Sequence, residues 1–156
     1  MEGKRISESR VTLTQVMNVT DANVLGNVHG GLLMKLSDEA GGIAAARHAC
    51  RPAVTVAVDS MTFHSPVHIG NLVTFSAEVS WVGRTSVEAR VVVTAENVLT
   101  GEVTHTNSAY FVYVALDEDG IPTPVPPLIC ENEEERARFA RGEVRRARRL
   151  SDVDES

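Results

Sequence analysis

The stretch Gly30 to Ala49 constrains the fold most: it holds no proline and is crowded with Leu, Met and Ala, so it reads as the single long helix of the core, ended by Arg51-Pro52. Beyond the helix comes strand after strand. Val54 to Phe63, Leu72 to Trp81, Val87 to Val98 and Val103 to Leu116 each alternate apolar and polar residues. Turn signals separate them at Pro66 to Asn71 (PVHIGN), at Gly83-Arg84 and at Leu99-Thr100-Gly101. Connections of hairpin length make the neighbours antiparallel. Ser9 to Val16 alternates as well and supplies a first strand, while Asn18 to Asn27 is a loop rich in Asn, Asp and Gly. The order strand, helix, four strands is α+β, with one helix on one face of a long curled sheet. Trp81 and Phe111 fall at apolar positions of their strands and read as core. The exit Gly120 to Pro127 (GIPTPVPP) is too rich in proline to join a ladder.

The chain of 156 residues is 43% hydrophobic and 23% charged, enough for one domain with a packed core. Fifteen Lys and Arg against twenty-one Asp and Glu give a net charge of −6, the wrong sign for gripping nucleic acid through its phosphates. No apolar run reaches the roughly 18 residues of a membrane span, and Met1 to Arg10 is polar, unlike a secretory leader. Cys50 and Cys130 make neither a disulfide framework nor a zinc motif. A cytoplasmic protein with no metal, no nucleic acid and no membrane among its partners is expected. Residues 131–156 differ in kind from the domain formed by 1–130. Acids come first (Glu131, Glu133, Glu134, Glu135) and arginines later (Arg136 to Arg149), the order a helix macrodipole favours. This tail reads as a solvated helix with a frayed acidic end from Ser151 to Ser156.

The core helix has two faces. Leu33, Leu36, Ala40, Ile43 and Ala44 make an apolar stripe. Beside it Met34, Asp38, Gly41, Gly42 and Ala45 offer almost no bulk around one carboxylate. Two glycines in mid-helix cost roughly 1 kcal/mol each relative to alanine, so another backbone or a slender ligand must approach closely there. A carboxylate on such a face is partly buried, and burial makes it a stronger base. The helix opens with Gly26-Asn27-Val28-His29-Gly30-Gly31, where Asn27 or His29 is placed to cap. Its bare amides attract an anion or an oxyanion forming on a carbonyl. From His29 to Asp38 the axial rise is roughly 13 Å at 1.5 Å per residue, too far for one small group to touch both. If the two features belong to one site, two helices related by a two-fold axis share it.

These residues carry a resemblance. The stretch Asp21-Ala22-Asn23-Val24-Leu25-Gly26-Asn27-Val28-His29-Gly30-Gly31, followed by Leu36-Ser37-Asp38-Glu39-Ala40-Gly41, resembles the hotdog-fold acyl-CoA thioesterases, in particular the cytosolic acyl-CoA hydrolase type. The likeness continues through Phe63-His64-Ser65-Pro66-Val67-His68-Ile69-Gly70, Gly83-Arg84-Thr85-Ser86-Val87-Glu88 and Leu99-Thr100-Gly101-Glu102, and on to Pro126-Pro127 and the charged tail. It implies a hotdog fold, protomers joined into a dimer and often three dimers in a hexamer. It also implies hydrolysis of fatty acyl-CoA to fatty acid and CoA without a cofactor. By position, the family's catalytic asparagine and aspartate fall on Asn23 and Asp38. Asn27, His29, Gly30 and Gly31 then line the thioester and its oxyanion, and Arg84, Thr85 and Ser86 contact the CoA phosphates.

Other chemistries fare less well. His48 and Cys50 stand two apart on a helix and do not face each other. His64 and His68 lack a third metal ligand, and no Gly-x-Ser-x-Gly elbow occurs. Two rivals stay open: a hotdog hydratase or dehydratase acting on the acyl chain, for which His29 is the only candidate histidine, and a non-catalytic acyl-CoA-binding protein.

Overall fold

The computed structural model describes residues 1–155, and the side chains of all of these except Ser60 and residues 153–155. In chain order the elements are β1 (Lys4–Arg5), β2 (Val11–Val16), α1 (Gly30–Ala49), β3 (Ala53–Phe63), β4 (Leu72–Val82), β5 (Ser86–Glu96), β6 (Val103–Ala115), β7 (Leu128–Ile129) and α2 (Glu133–Glu155). The sequence places the long helix at its observed bounds and each long strand within two residues. Strands β2 to β6 form one sheet in the order β2-β4-β5-β6-β3, every neighbour antiparallel. Helix α1 lies across its concave face. Leu33, Ala40, Ala44 and Ala45 of α1 are buried there against Val73, Phe75, Ala77 and Val79 of β4, Ala89, Val91 and Val93 of β5, and Phe111 and Tyr113 of β6. The period of two along each strand selects those positions, since alternate side chains share a face. Cys50 closes α1 in the left-handed region at φ 53°, its amide donating to the Ala46 carbonyl.

Three features depart from the sequence reading. Strand β4 does not keep its alternation to the end: the register with β5 shifts between Val79 and Trp81, so Ser80 bulges and Trp81 stands opposite Glu88. An extra residue reverses every later side chain, and Trp81 therefore lies on the convex face, 1% exposed, instead of beside Val79. Helix α2 covers it there and is not a solvated tail. Gly142 admits that approach, because a Cβ at this position would lie 2.5 Å from Trp81 Cβ. Arg145 is 8% exposed and grips Glu88 through two bonds, Nε to Oε2 at 2.9 Å and Nη2 to Oε1 at 2.7 Å. The helix continues through Ser151 to Glu155, where the sequence suggests fraying; Ser156 lies outside the described residues.

The proline-rich exit is also tied in. Pro122 bridges Leu116, and the Val125 amide donates to the Arg84 carbonyl at 2.9 Å. β7, just beyond, pairs parallel with β1. The Pro126 carbonyl accepts a hydrogen bond from His48 Nε2 at 2.8 Å. His48 is wholly buried, and that burial is the main reason its basicity lies below the ordinary histidine value. A carbonyl only accepts, so Nε2 carries a hydrogen.

Candidate active site

Asp38 sits at mid-helix on the α1 face turned toward β3 and β6. In the β3–β6 ladder Thr55 is paired with Tyr113, so their side chains rise on one face. Both hydroxyls converge on one oxygen of Asp38: Thr55 Oγ1 donates to Oδ1 at 2.8 Å, and the Tyr113 hydroxyl lies 2.9 Å from the same oxygen and from the Asp38 carbonyl. Burial, and after it the neighbouring carboxylate, pushes the Tyr113 hydroxyl far above the ordinary tyrosine range, so it stays a donor. Among the described residues nothing donates to Oδ2. Asp38 is thus held by two donors on one oxygen and offers the other to whatever enters.

Gly41 has a different cause from the one expected, while a Cβ on Gly42 would make only an ordinary contact. A Cβ on Gly41 would stand 2.5 Å from the Tyr113 oxygen, and one on Gly42 would stand 3.6 Å from the same ring. The slender group approaching that face is the chain's own tyrosine. Alternation places Tyr113 among apolar strand residues and gives no reason to single out Thr55. A signal for the tyrosine is nonetheless present: two glycines and a carboxylate share one helix face, opposite a tyrosine at an inward position of a strand.

An open cavity of about 410 Å³ lies beside Asp38, lined by Gly31, Met34, Lys35, Thr55, Val58 and Phe111. A second cavity, about 280 Å³, includes Asn27, Gly30, Phe63 and His64 in its wall. Within one chain Asn27 and Gly30 therefore face a different space from the carboxylate, while Gly31 borders the cavity beside Asp38. Gly30 and Gly31 open α1; the Phe63 ring lies 3.5 Å from where a Gly30 Cβ would be, and among the described residues nothing lies within 4 Å of one on Gly31. His29 occupies the N-cap, but its side chain makes no capping bond. Asn27 does not cap either; it forms a bridge with His68. Asn23 organises the loop before the helix, its Oδ1 accepting the Leu25 amide at 2.9 Å and the Asn27 amide at 3.2 Å. That leaves the Asn23 Nδ2 hydrogens for an outside acceptor.

The β4–β5 turn is closed by the Gly83 amide on the Ser86 carbonyl at 2.9 Å, with Arg84 exposed at its tip and Thr85 and Ser86 half-buried behind it. Among the described residues no group of three or more His, Cys, Asp or Glu could hold a metal ion, and no helix is long and apolar enough to cross a membrane.

The edge of the sheet is unusual. β3 has a neighbour on one side only, yet Val54, Val56 and Val58 are 44%, 56% and 38% exposed, and Met34 of α1 is 40% exposed nearby. An unpaired edge rimmed with large apolar side chains is a pairing surface.

Comparison with known proteins agrees with this geometry. The model of the thioesterase superfamily matches residues 25–102. The cytosolic acyl coenzyme A thioester hydrolase of Rattus norvegicus is 38% identical over 146 residues, covering 92% of this chain. The chain spans 38% of the length of that rat protein. A solved apo-hexameric acyl-CoA thioesterase is 33% identical with a TM-score of 0.93, over 98% of both chains. The acyl-CoA hydrolase of Staphylococcus aureus, solved with butyryl coenzyme A, coenzyme A and coenzyme A disulfide, is 31% identical with a TM-score of 0.87, over 97% of this chain and 95% of that one. Solved variants of the Staphylococcus aureus enzyme replace an asparagine, an aspartate and a threonine by alanine, and these three are separated along its chain as Asn23, Asp38 and Thr55 are here. With the long helix held in a curled antiparallel sheet and a carboxylate anchored at its middle, this chain has the hotdog fold and belongs to the thioesterase superfamily.

Proposed function

We propose that the chain hydrolyses fatty acyl-CoA to fatty acid and CoA, at a site completed by a second copy of itself, in the cytoplasm. The observation that carries this reading is Asp38: one oxygen fixed by Thr55 and Tyr113, the other facing an open cavity with apolar walls. A carboxylate so held can orient and deprotonate water, a step worth roughly 10²–10⁴-fold. It can also attack the thioester itself, forming an anhydride that water then opens. Either way the carbonyl oxygen gains charge and needs donors. The free amides at Gly30 and Gly31 and the spare Asn23 Nδ2 hydrogens are such donors, each worth about 10²–10³-fold when aimed at an oxyanion.

Gly30 lies roughly 12 Å along the helix axis from Asp38 of the same chain. A two-fold axis beside β3 would pair the exposed edges and run two α1 helices antiparallel. Each Asp38 would then meet the other chain's helix start. The dimer is the minimal unit of this reading, and the hexamer of the solved relatives is its expected assembly. Arg84, Thr85 and Ser86 take the CoA phosphates, since an acidic protein needs local cations to hold an anionic substrate. No cofactor enters the reaction.

Two inactive variants test the shared site. Asp38→Ala and Asn23→Ala, unfolded and refolded together, regain about a quarter of wild-type thiol release from acyl-CoA, because half the dimers are mixed and each mixed dimer restores one of two sites. No recovery on mixing would place both residues in one chain's site. Loss of the acyl double bond without thiol release would favour the hydratase; His29, exposed at the N-cap and lining neither cavity, gives that reading no structural support.

A further inference from the structure

The convex face holds a second built feature. Carboxylates and guanidiniums balance beneath α2: Glu88 takes Arg145, and Asp59 takes Arg149 at 3.4 Å. Arg146 is left over. It has no hydrogen bond or ion pair among the described residues, and its guanidinium rests on the Trp81 ring with Cζ 5.3 Å from the centroid. The same group is seated on the β4–β5 turn. A Cβ at Gly83 would lie 2.6 Å from Arg146 Nη1, 2.7 Å from Trp81 Cη2 and 3.1 Å from Ser86 Oγ. Glycine at position 83 thus makes room for an arginine that arrives from the far end of the chain.

The helix turn that carries Arg146 is anchored. The neighbouring Arg145 makes two bonds to the buried Glu88 and stacks on Tyr110 at 3.6 Å, so α2 is clamped one residue away. A cavity of about 160 Å³ opens beside it, lined by the apolar Val56, Val112, Val114 and Leu150 and by Ser86, Arg146 and Arg149. Arg149 is already engaged by Asp59 and Glu88, so the Arg146 guanidinium and the Ser86 hydroxyl are the donors this hollow offers a phosphate. An arginine whose guanidinium already lies over the Trp81 ring has less freedom to lose on binding. Arg84 at the tip of the same turn is a further cation without a carboxylate partner among the described residues. In a chain of net charge −6 this is a local reversal of sign.

We propose that α2 completes the site for the nucleotide end of the substrate, with Arg146 and Ser86 binding a phosphate of CoA beside Arg84. The inference rests on the thioesterase reading and adds the C-terminal helix to it as a specificity element. The test compares Arg146→Gln with wild type on acyl-CoA and on acyl-pantetheine, which carries the same thioester without the nucleotide. The expected result is a KM for acyl-CoA raised about ten-fold or more, the worth of a charge-assisted hydrogen bond. The KM for acyl-pantetheine stays as in wild type, and Arg146→Lys recovers part of the loss on acyl-CoA. An equal change on both substrates, or none on acyl-CoA, overturns the proposal. If the wild-type protein released thiol from neither compound, the thioesterase reading itself would fall, a separate outcome.

Discussion

Asp38 and Glu88 are carboxylates on opposite faces of one sheet, and the sheet treats them differently. Glu88 is 0% exposed and both of its oxygens are bonded: Ser80 Oγ and Arg145 Nη2 on Oε1, Arg145 Nε on Oε2, with Arg149 3.8 Å away. Asp38 is half-buried, has no cation among its bonding partners, and receives both of its hydroxyl donors on one oxygen. A carboxylate with donors on both oxygens and a cation against it is a fastener. One whose neutral donors fix its direction but leave an oxygen open is available for chemistry. The difference comes from what each face must do, since the convex face receives a helix of the same chain and the concave edge is left for something else.

The largest effect should come from removing the open carboxylate. Asp38→Asn keeps the size and the capacity to accept from Thr55 and Tyr113, yet it should lower kcat by roughly 10²–10⁴-fold with an unchanged melting temperature. Near-normal turnover would remove Asp38 from the mechanism. The fastener should behave in the opposite way. Glu88→Leu leaves Arg145 buried without its partner and should cost about 3–5 kcal/mol, read in thermal melting. The double variant Glu88→Leu/Arg145→Met should recover most of it. A single variant as stable as wild type would show that the ion pair does not hold α2.

Gly41→Ala sharpens the comparison where packing meets chemistry. Alanine favours the helix by roughly 1 kcal/mol, but its Cβ would stand 2.5 Å from the Tyr113 oxygen. Overpacking of this sort costs about 1–3 kcal/mol, so stability and activity should both fall. Adding Tyr113→Phe removes the colliding oxygen, and the double variant should regain stability while activity stays low for want of the donor. Recovery of both together would mean that the hydroxyl only fills space.

The smallest effect is a pH dependence at His48. Its folded-state basicity is lowered, chiefly by burial, so on acidification the unfolded chain takes a proton near the ordinary pH of 6.5 that the folded chain refuses. Stability from this group is therefore present above that pH and lost below it, by at most about 1.4 kcal/mol per pH unit. Melting of wild type and His48→Gln between pH 7.5 and 5.5 should show the steeper acid loss in wild type. Parallel curves would deny His48 that part.

Much of this molecule can be read from its residues. Local chemistry decides a helix without proline and strands of period two, so α1 and four long strands emerge within two residues of their observed bounds. The candidate residues around the helix start and Asp38 come from residue type and from the resemblance. Whatever depends on a single extra residue or a distant partner stays hidden. Alternation places Trp81 beside Val79, and the bulge at Ser80 sends it to the other face. The arginines of α2 resemble a solvated surface because Glu88, their anchor, sits at a strand position that periodicity marks only as facing away from α1.

The amino-acid order alone determined the α+β architecture, the position of the carboxylate on a glycine-lined helix face and the glycine-opened helix start. Each of these depends on neighbours within a few positions, where propensity and spacing act directly. Only the tertiary structure decided that Thr55 and Tyr113 steer Asp38, that Gly41 exists for Tyr113, and that α2 seals the convex face through Glu88. Those relations join residues from 17 to 75 positions apart, and they arise when strand register and helix packing bring particular atoms within bonding distance.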